Sequence, residues 1–267
     1  MRRLVHLSDL HFGRVDPAIL EPITQFVASV KPDLITVSGD LTQRARSEEF
    51  IEARAFLDSL KFPQIVVPGN HDVPLHNIFA RFFQSLDKYR VYINKEVNPV
   101  YRDDEIVVVG INTARSLTWK DGRISTEQIE LMREQLSVPG NQIKIVMTHH
   151  PFDLPEGADG DVVGRSEEAM KALAECGVDI FLAGHFHIAH TGHTAKRYKL
   201  EGQSALVVSS GTSTSTRGRG EPNSLNVIEI EPQEIRIERW AWQPATARFE
   251  TLSFEKFGLT ALGWARL

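Results

Sequence analysis

Cysteine is almost absent from this chain. Cys176 is the only one in 267 residues, so no internal disulfide can form and a reducing compartment is the expectation. Long apolar runs are missing too, none approaching the roughly 20 residues that a membrane-spanning helix needs. The opening stretch Met1, Arg2, Arg3, Leu4, Val5, His6, Leu7, Ser8, Asp9 brings charged and polar groups too early for a secretory apolar segment. Positive charge is not in excess: 30 Lys and Arg stand against 35 Asp and Glu, a net charge of −5, so the basic footprint of a nucleic-acid binder is not there. Internal repeats, a low-complexity tail and an obvious linker are also lacking. These absences lead to the expectation of a cytoplasmic globular protein with neither a membrane nor a nucleic acid as partner. The hydrophobic share of 42% is enough for a sizeable core. A single domain over 1–267 is expected.

Short apolar, β-branched runs alternate with longer amphipathic ones. Residues 4–7, 34–37, 64–67, 106–111, 143–147 and 178–182 read as strands. Between them, 17–30 carries Ile19, Leu20, Ile23, Phe26, Val27 and Val30 at helical spacing. A second helix opens at Ser47, with Glu48 and Glu49 in the first turn, where the helix dipole favours acids. Residues 125–136 and 166–175 look similar. Strands separated by helices of this length imply βαβ units. From about 204 the pattern changes to strands without helices, at 206–209, 226–230 and 234–242, with a Thr-, Ser-, Gly- and Arg-rich loop at 211–223. The fold class is therefore α/β with a β-rich C-terminal part over about 204–267.

Polar residues collect where the predicted strands end. Strand one runs into Ser8-Asp9-Leu10-His11, strand two into Ser38-Gly39-Asp40, and strand three into Gly69-Asn70-His71-Asp72. Strand five runs into Thr148-His149-His150-Pro151, and strand six into Gly184-His185-Phe186-His187. In open α/β sheets the ligand site lies at the carboxyl ends of the strands. Each piece alone has an ordinary reading: Gly-Asp and Gly-Asn are common in turns, and a lone histidine is more often a satisfied interior residue. All five in order on successive strand ends are hard to attribute to turns alone. A mixed set of nitrogen and oxygen donors without thiolate suits Mn, Fe, Zn, Co or Ni. A carboxylate can bridge two cations, and such a pair clamps a phosphoryl group and makes a shared water acidic enough to attack near neutral pH.

The ordered set Asp-x-His, Gly-Asp, Gly-Asn-His-Asp, His-x-Pro and Gly-His-x-His resembles the calcineurin-like metallophosphoesterase superfamily over roughly residues 3–230. The resemblance implies a four-layered α/β/β/α sandwich. It also implies two divalent or mixed-valence transition-metal ions, Mn, Fe or Zn. Asp9, His11 and His187 would hold the first, Asn70, His149 and His185 the second, and Asp40 would bridge them. His71 would stand near the leaving-group oxygen as a general acid or hydrogen-bond donor. Asp72 and His150 would orient ligands.

Departures narrow the branch. Protein Ser/Thr phosphatases carry Gly-Asp-x-x-Asp-Arg-Gly, whereas this run is Gly39-Asp40-Leu41-Thr42-Gln43-Arg44, which leaves the partner that orients His71 open. The tyrosine of purple acid phosphatases is replaced by Gln43. The run Gly211-Thr212-Ser213-Thr214-Ser215-Thr216-Arg217 looks like bacterial phosphodiesterases, similar to class III cyclic-nucleotide phosphodiesterases and glycerophosphodiesterases. The expected activity is hydrolysis of a small phosphodiester by a metal-bridging hydroxide. A monoesterase, a nucleotide or lipid pyrophosphatase, a nuclease and a non-catalytic scaffold are the alternatives. Arg217 and Arg219 are candidates for a substrate phosphate; His76, Asn112, Arg115 and Trp119 are further pocket candidates. His6 reads as buried structure, and His190 and His193 as surface loop. A homo-oligomer is left open, with Tyr89 to Tyr92 and Trp240 to Trp242 as interface or core.

Overall fold

The computed structural model describes residues 1–75, 78–116, 121–154, 160–194, 197–198, 204–217 and 220–267, with only the backbone of 78–80. His76, Trp119, Arg219 and the loop at 155–159 lie outside the described residues.

The chain begins with β1 (Arg2–Leu7), α1 (Pro17–Val30), β2 (Leu34–Ser38), α2 (Ser47–Ser59) and β3 (Gln64–Val67). A 3-10 turn (Asn70–Asp72) and two short helices, α3 (Ile78–Phe83) and α4 (Asp87–Tyr92), lead to β4 (Val100–Arg102) and β5 (Ile106–Ile111). Next come α5 (Thr126–Leu136), β6 (Ile143–Thr148), α6 (Ser166–Glu175), β7 (Ile180–Ala183), β8 (His190–His193) and β9 (Leu206–Ser209). The chain finishes with β10 (Ser224–Glu231), β11 (Glu234–Gln243), β12 (Arg248–Thr260) and β13 (Gly263–Arg266). One sheet has the order β13-β12-β11-β10-β1-β2-β3 and the other β4-β5-β6-β7-β9-β8. The neighbours β1-β2-β3 and β5-β6-β7-β9 are parallel, which aligns their carboxyl ends.

Strand periodicity sorts the side chains into layers. Leu4, Leu34, Ile106, Val108, Ile145, Leu182 and Val208 point into the space between the sheets. Their neighbours Val5, Leu7, Ile35 and Val37 pack outward with Ile19, Ile23 and Val27 of α1 and Phe50 and Leu57 of α2. On the other side Val107, Val109, Val146 and Phe181 pack with Met132 of α5 and Leu173 of α6. Strands buried on both faces have to be apolar throughout, which is why they read as unbroken runs rather than alternations. The expected four-layered α/β/β/α sandwich is the result. Local signals agree: Asp16 caps α1 by accepting from Ala18 N at 3.0 Å, and Ser125 and Gln128 close a reciprocal capping box on α5.

Some elements depart from the sequence reading. His190 and His193, expected in a surface loop, bound β8, which pairs antiparallel with β9. β12 is the longest strand and had no counterpart in the expectation; it sits beyond β11 with exposed Leu252 and Phe254 and a register shift opposite Arg239 and Trp240. Tyr89 is fully buried and donates to Val66 O at 2.8 Å, Trp242 is buried, and Trp240 packs on Phe26 at 4.8 Å. These aromatics pack with the core.

Leu182→Ala would empty a side chain that is 1% exposed between the sheets. A loss of about 2–5 kcal/mol in unfolding free energy is expected, read from denaturant midpoints; a loss under about 1 kcal/mol would contradict this packing.

Candidate dinuclear metal centre

The loops leaving β1 and β2 run side by side: Asp9 N donates to Gly39 O at 3.1 Å, His11 N to Asp40 O at 2.9 Å, and Phe12 N to Leu41 O at 2.8 Å. Across the seam, Gly184 N donates to His149 O at 3.1 Å, joining the loops after β6 and β7. Asp9, His11, Asp40, His185 and His187 all have left-handed backbone, with φ of 53°, 49°, 53°, 76° and 58°. Such conformations cost a non-glycine residue energy and persist only where the surroundings impose them. Gly39, at φ 88°, is required for a second reason: a Cβ there would meet His149 Nδ1 at 2.7 Å.

The side chains these loops deliver form two adjoining nests. In the first, His11 Nε2 lies 3.6 Å from Asp9 Oδ1 and 3.6 Å from Asp40 Oδ2, and His187 Nε2 lies 3.7 Å from Asp9 Oδ1. In the second, His149 Nε2 lies 3.1 Å from Asn70 Oδ1, 3.3 Å from His185 Nδ1 and 3.4 Å from Asp40 Oδ1. Asp40 thus turns one oxygen to each nest. All seven expected ligands come together. Asp9, His11, Asp40, Asn70 and His149 are buried, with His187 at 5% exposure.

These donors fit cations. Asp9 Oδ2 accepts from Ser8 Oγ at 2.7 Å and His185 N at 3.0 Å, while Asp9 Oδ1 has no hydrogen-bond partner. His11 Nε2 is likewise buried without a partner. A buried polar atom left unpaired is costly, and a cation at this point would satisfy both. The outer ring nitrogens fix the inner ones. His149 Nδ1 donates to Ser38 O at 2.8 Å and His11 Nδ1 to Thr42 O at 3.3 Å, because a carbonyl can only accept; His187 Nδ1 lies 2.6 Å from Thr212 Oγ1. With the neutral rings, the Nε2 lone pairs of His149 and His11 are then aimed into their nests, as metal-binding histidines require.

Electrostatics tell the same story without an ion. Burial alone would raise the carboxyls, but surrounding histidines prevail, His187 and His11 on Asp9 and His149 and His71 on Asp40, and both are held well below the usual carboxylate range. Burial works against a charged His149, yet Asp40 and Asp9 outweigh it and push that ring up to about 9. A proton there stands in for a cation. Burial, with like charge on His149, brings His185 down to about 3.

The sequence model of the calcineurin-like phosphoesterase family matches residues 2–189. The chain belongs to the calcineurin-like phosphoesterase family. It is 28% identical over 167 residues to a glycerophosphodiester phosphodiesterase GpdQ of Enterobacter lignolyticus, covering 58% of each chain. It is 28% identical to a probable cyclic nucleotide phosphodiesterase of Rhodococcus erythropolis, over 70% of this chain and 65% of that one. The chain thus spans less than two thirds of these relatives' length. Purple acid phosphatase PPD1 of yellow lupin superposes with a TM-score of 0.70 at 14% identity, over 96% of this chain and 53% of that one, a likeness of fold.

Several features of this calcineurin-like centre were not legible in the motifs. Thr212, Ser213, Thr214 and Ser215 are buried, and their segment is strapped along the β1–α1 loop. Ser213 N donates to Ser8 O at 3.0 Å, Thr214 Oγ1 to Leu10 O at 2.7 Å, and Thr216 N to Arg14 O at 2.9 Å. The hydroxyl-rich run was the only signal. Among the described residues Asp72 makes no hydrogen bond to an expected ligand's side chain. It accepts from Leu41 N, Thr42 N, Thr42 Oγ1 and Gly69 N at 2.9–3.1 Å, tying the Asp40 loop to the Asn70 loop. His150 Nδ1 lies 2.7 Å from Thr113 Oγ1, and its ring stands 4.5 Å from that of His185. It joins a cluster with His149 and His185, but His149 alone of the two adjacent rings also reaches Asp40. His71 Nδ1 donates to Gln43 O at 2.8 Å, so a backbone carbonyl orients the ring. Arg217 Nη1 donates to His71 Nε2 at 2.9 Å. Arg115 donates to Asn112 O, Ala114 O and Gln128 Oε1, and Asn112 Oδ1 accepts from Ala114 N.

Thr212→Val removes the partner of His187 Nδ1 and is expected to weaken metal binding by about 10- to 100-fold with the fold retained, measured by metal titration; unchanged affinity would contradict the bond's role. In chelator-treated protein, the charged His149 stabilises the fold fully below the unfolded value of about 6.5, and that stabilisation is lost as pH rises through about 9. The thermal midpoint of the chelated protein is expected to fall across that window, and a flat profile would contradict the assignment.

Proposed function

We propose that this chain is a dinuclear-metal phosphodiesterase acting on a small diester, with a cyclic nucleotide as the leading substrate. The observation that carries the metal half of this reading is the division of Asp40, whose two oxygens lie 3.6 Å from His11 Nε2 and 3.4 Å from His149 Nε2. Asp9, His11 and His187 would hold one ion and Asn70, His149 and His185 the other, with Asp40 between them. Bound there, two transition-metal ions of the Mn, Fe or Zn kind would supply Lewis acidity for the phosphoryl oxygens and an acidic water as nucleophile.

The residues of the chain supply rigidity. Ser8 and the His185 backbone N–H hold one oxygen of Asp9, which fixes the other toward its nest. Ser38 and Thr42 carbonyls fix the imidazole tautomers. Asp72 locks together the backbones that carry Asp40 and Asn70. Ligands held this way need little reorganisation when charge develops at phosphorus. The diester half of the reading is supported by the relatives named as glycerophosphodiester and cyclic nucleotide phosphodiesterases. Among the described residues no helix is long and apolar enough to cross a membrane, which suits a small polar substrate but does not select one.

The test is turnover of bis(p-nitrophenyl) phosphate and p-nitrophenyl phosphate with added Mn²⁺ and with chelator. Diester hydrolysis that needs Mn²⁺ and falls at least about a hundredfold in Asp40→Ala is expected. A clear monoester preference would replace the diesterase with a phosphatase.

A further inference from the structure

His6 breaks an apolar row. On β1 it lies two residues beyond Leu4 and so shares its face, the one that looks into the space between the sheets. Its neighbours by register are Thr36 on β2 and Asn226 on β10, and all three are fully buried. Two residues earlier on β1 the corresponding row is Leu4, Leu34 and Ile228, which fills the same space with apolar side chains alone.

A histidine at this position gains less from burial than a leucine would. Its Nδ1 is buried without a hydrogen-bond partner, and so is Oδ1 of Asn226 opposite it. Buried polar atoms without partners lower stability. Residues that break the pattern of a core in this way are expected where function requires them. Among the described residues His6 has one side-chain bond: its Nε2 lies 2.9 Å from Ser38 Oγ on the next strand. Whichever atom donates, the bond ties the two side chains together.

Ser38 is where that tie matters. It is the last residue of β2, and its ladder partner Val67 is the last of β3. Beyond it come Gly39, at φ 88°, and then Asp40. The Ser38 carbonyl therefore sits where the ladder ends, next to a residue with wide backbone freedom. That oxygen accepts from His149 Nδ1 at 2.8 Å and lies 3.2 Å from Ser8 Oγ, which donates to Asp9 Oδ2 at 2.7 Å. One peptide group thus stands behind His149 of one nest and Asp9 of the other, two residues before the shared Asp40. The other contact of the Ser38 hydroxyl, Leu7 O, is at 3.4 Å, near the outer limit for a hydrogen bond, so His6 is the main anchor of this side chain.

We infer that His6 is a positioning residue for the metal centre: it anchors the Ser38 side chain, and the Ser38 carbonyl in turn sets His149 and Asp9. His6 makes no hydrogen bond to an expected ligand among the described residues and acts only through Ser38. The inference rests on the metal-binding half of the proposed function, not on the substrate.

The experiment measures Mn²⁺ binding by calorimetry on the full chain, with the thermal midpoint of each chelated variant taken alongside. Ser38→Ala keeps the carbonyl and removes only its anchor. It and His6→Leu are each expected to weaken Mn²⁺ binding about 10- to 100-fold, and the double variant is expected to be no worse than the weaker single one. His6→Gln, whose longer amide still reaches toward Ser38 Oγ, is expected to restore most of the affinity. Leu4→Ala, on the same strand and face, is expected to lower the thermal midpoint yet bind Mn²⁺ like the wild type. Wild-type Mn²⁺ affinity in folded Ser38→Ala or His6→Leu would overturn the inference. So would full additivity of the two substitutions, or a loss of metal in Leu4→Ala as large as theirs, which would reduce His6 to a packing role. Mn²⁺ binding that depends on His6 in a protein that hydrolyses no diester would keep the inference and remove the phosphodiesterase reading. Mn²⁺-dependent diester turnover with metal affinity indifferent to His6 and Ser38 Oγ would do the reverse.

Discussion

Asp40 is a carboxylate at 1% exposure, held at the point where the two sheets meet. Burying a charge costs several kcal/mol unless the surroundings return it. Much of the local architecture answers that requirement. Its Oδ1 accepts from His71 N at 2.8 Å, and its two oxygens face histidines from opposite sheets, His11 after β1 and His149 after β6. Gly69 is forced by the same crowding, because a Cβ there would collide with the Asp40 backbone nitrogen and carboxylate. The positive side of the ledger is incomplete without cations: Asp9 Oδ1 and His11 Nε2 stay unpaired, and one proton on His149 does the work of an ion.

A centre built across a seam depends on how the two sheets are held. The apolar layer of Leu4, Leu34, Val108, Ile145, Leu182 and Val208 sets their face-to-face placement. The strap after β9 then pins the seam at the level of the ligands. Thr212 bonds a histidine that follows β7 in the second sheet, and Ser213 bonds Ser8 at the end of β1 in the first. One short segment therefore couples both halves of the site and, five residues after Thr212, delivers Arg217 to its mouth.

Much of this was legible in the sequence, and the reasons are physical. Strands such as Ile106–Ile111 are buried on both faces and appear as apolar β-branched runs; helices such as Pro17–Val30 carry their cap and their period. The ligands were legible because a metal site needs specific donor types, and strand ends are where an α/β sheet exposes them. β12 was missed because a strand near the sheet edge, with exposed Leu252 and Phe254 and a register shift, has no clean apolar face. β8 was missed because His190-Thr191-Gly192-His193 has almost no apolar content, its pairing being imposed by β9. The orientation of His71 was invisible for another reason. Its partner is the backbone carbonyl of Gln43, and every residue has one. The same holds for the carbonyls of Ser38 and Thr42 behind His149 and His11.

The central claim is that Asp40 joins two cations in one centre. Electron paramagnetic resonance of the protein titrated with Mn²⁺ tests it most directly. A shared carboxylate ligand at the short spacing of about 3.5–4 Å typical of two-metal sites is expected to give two bound ions per chain and an exchange-coupled signal, which collapses to an uncoupled one in Asp40→Asn or Asp40→Ala. A single bound ion per chain, or two ions with the six-line spectrum of isolated Mn²⁺ in the unaltered protein, would contradict the account.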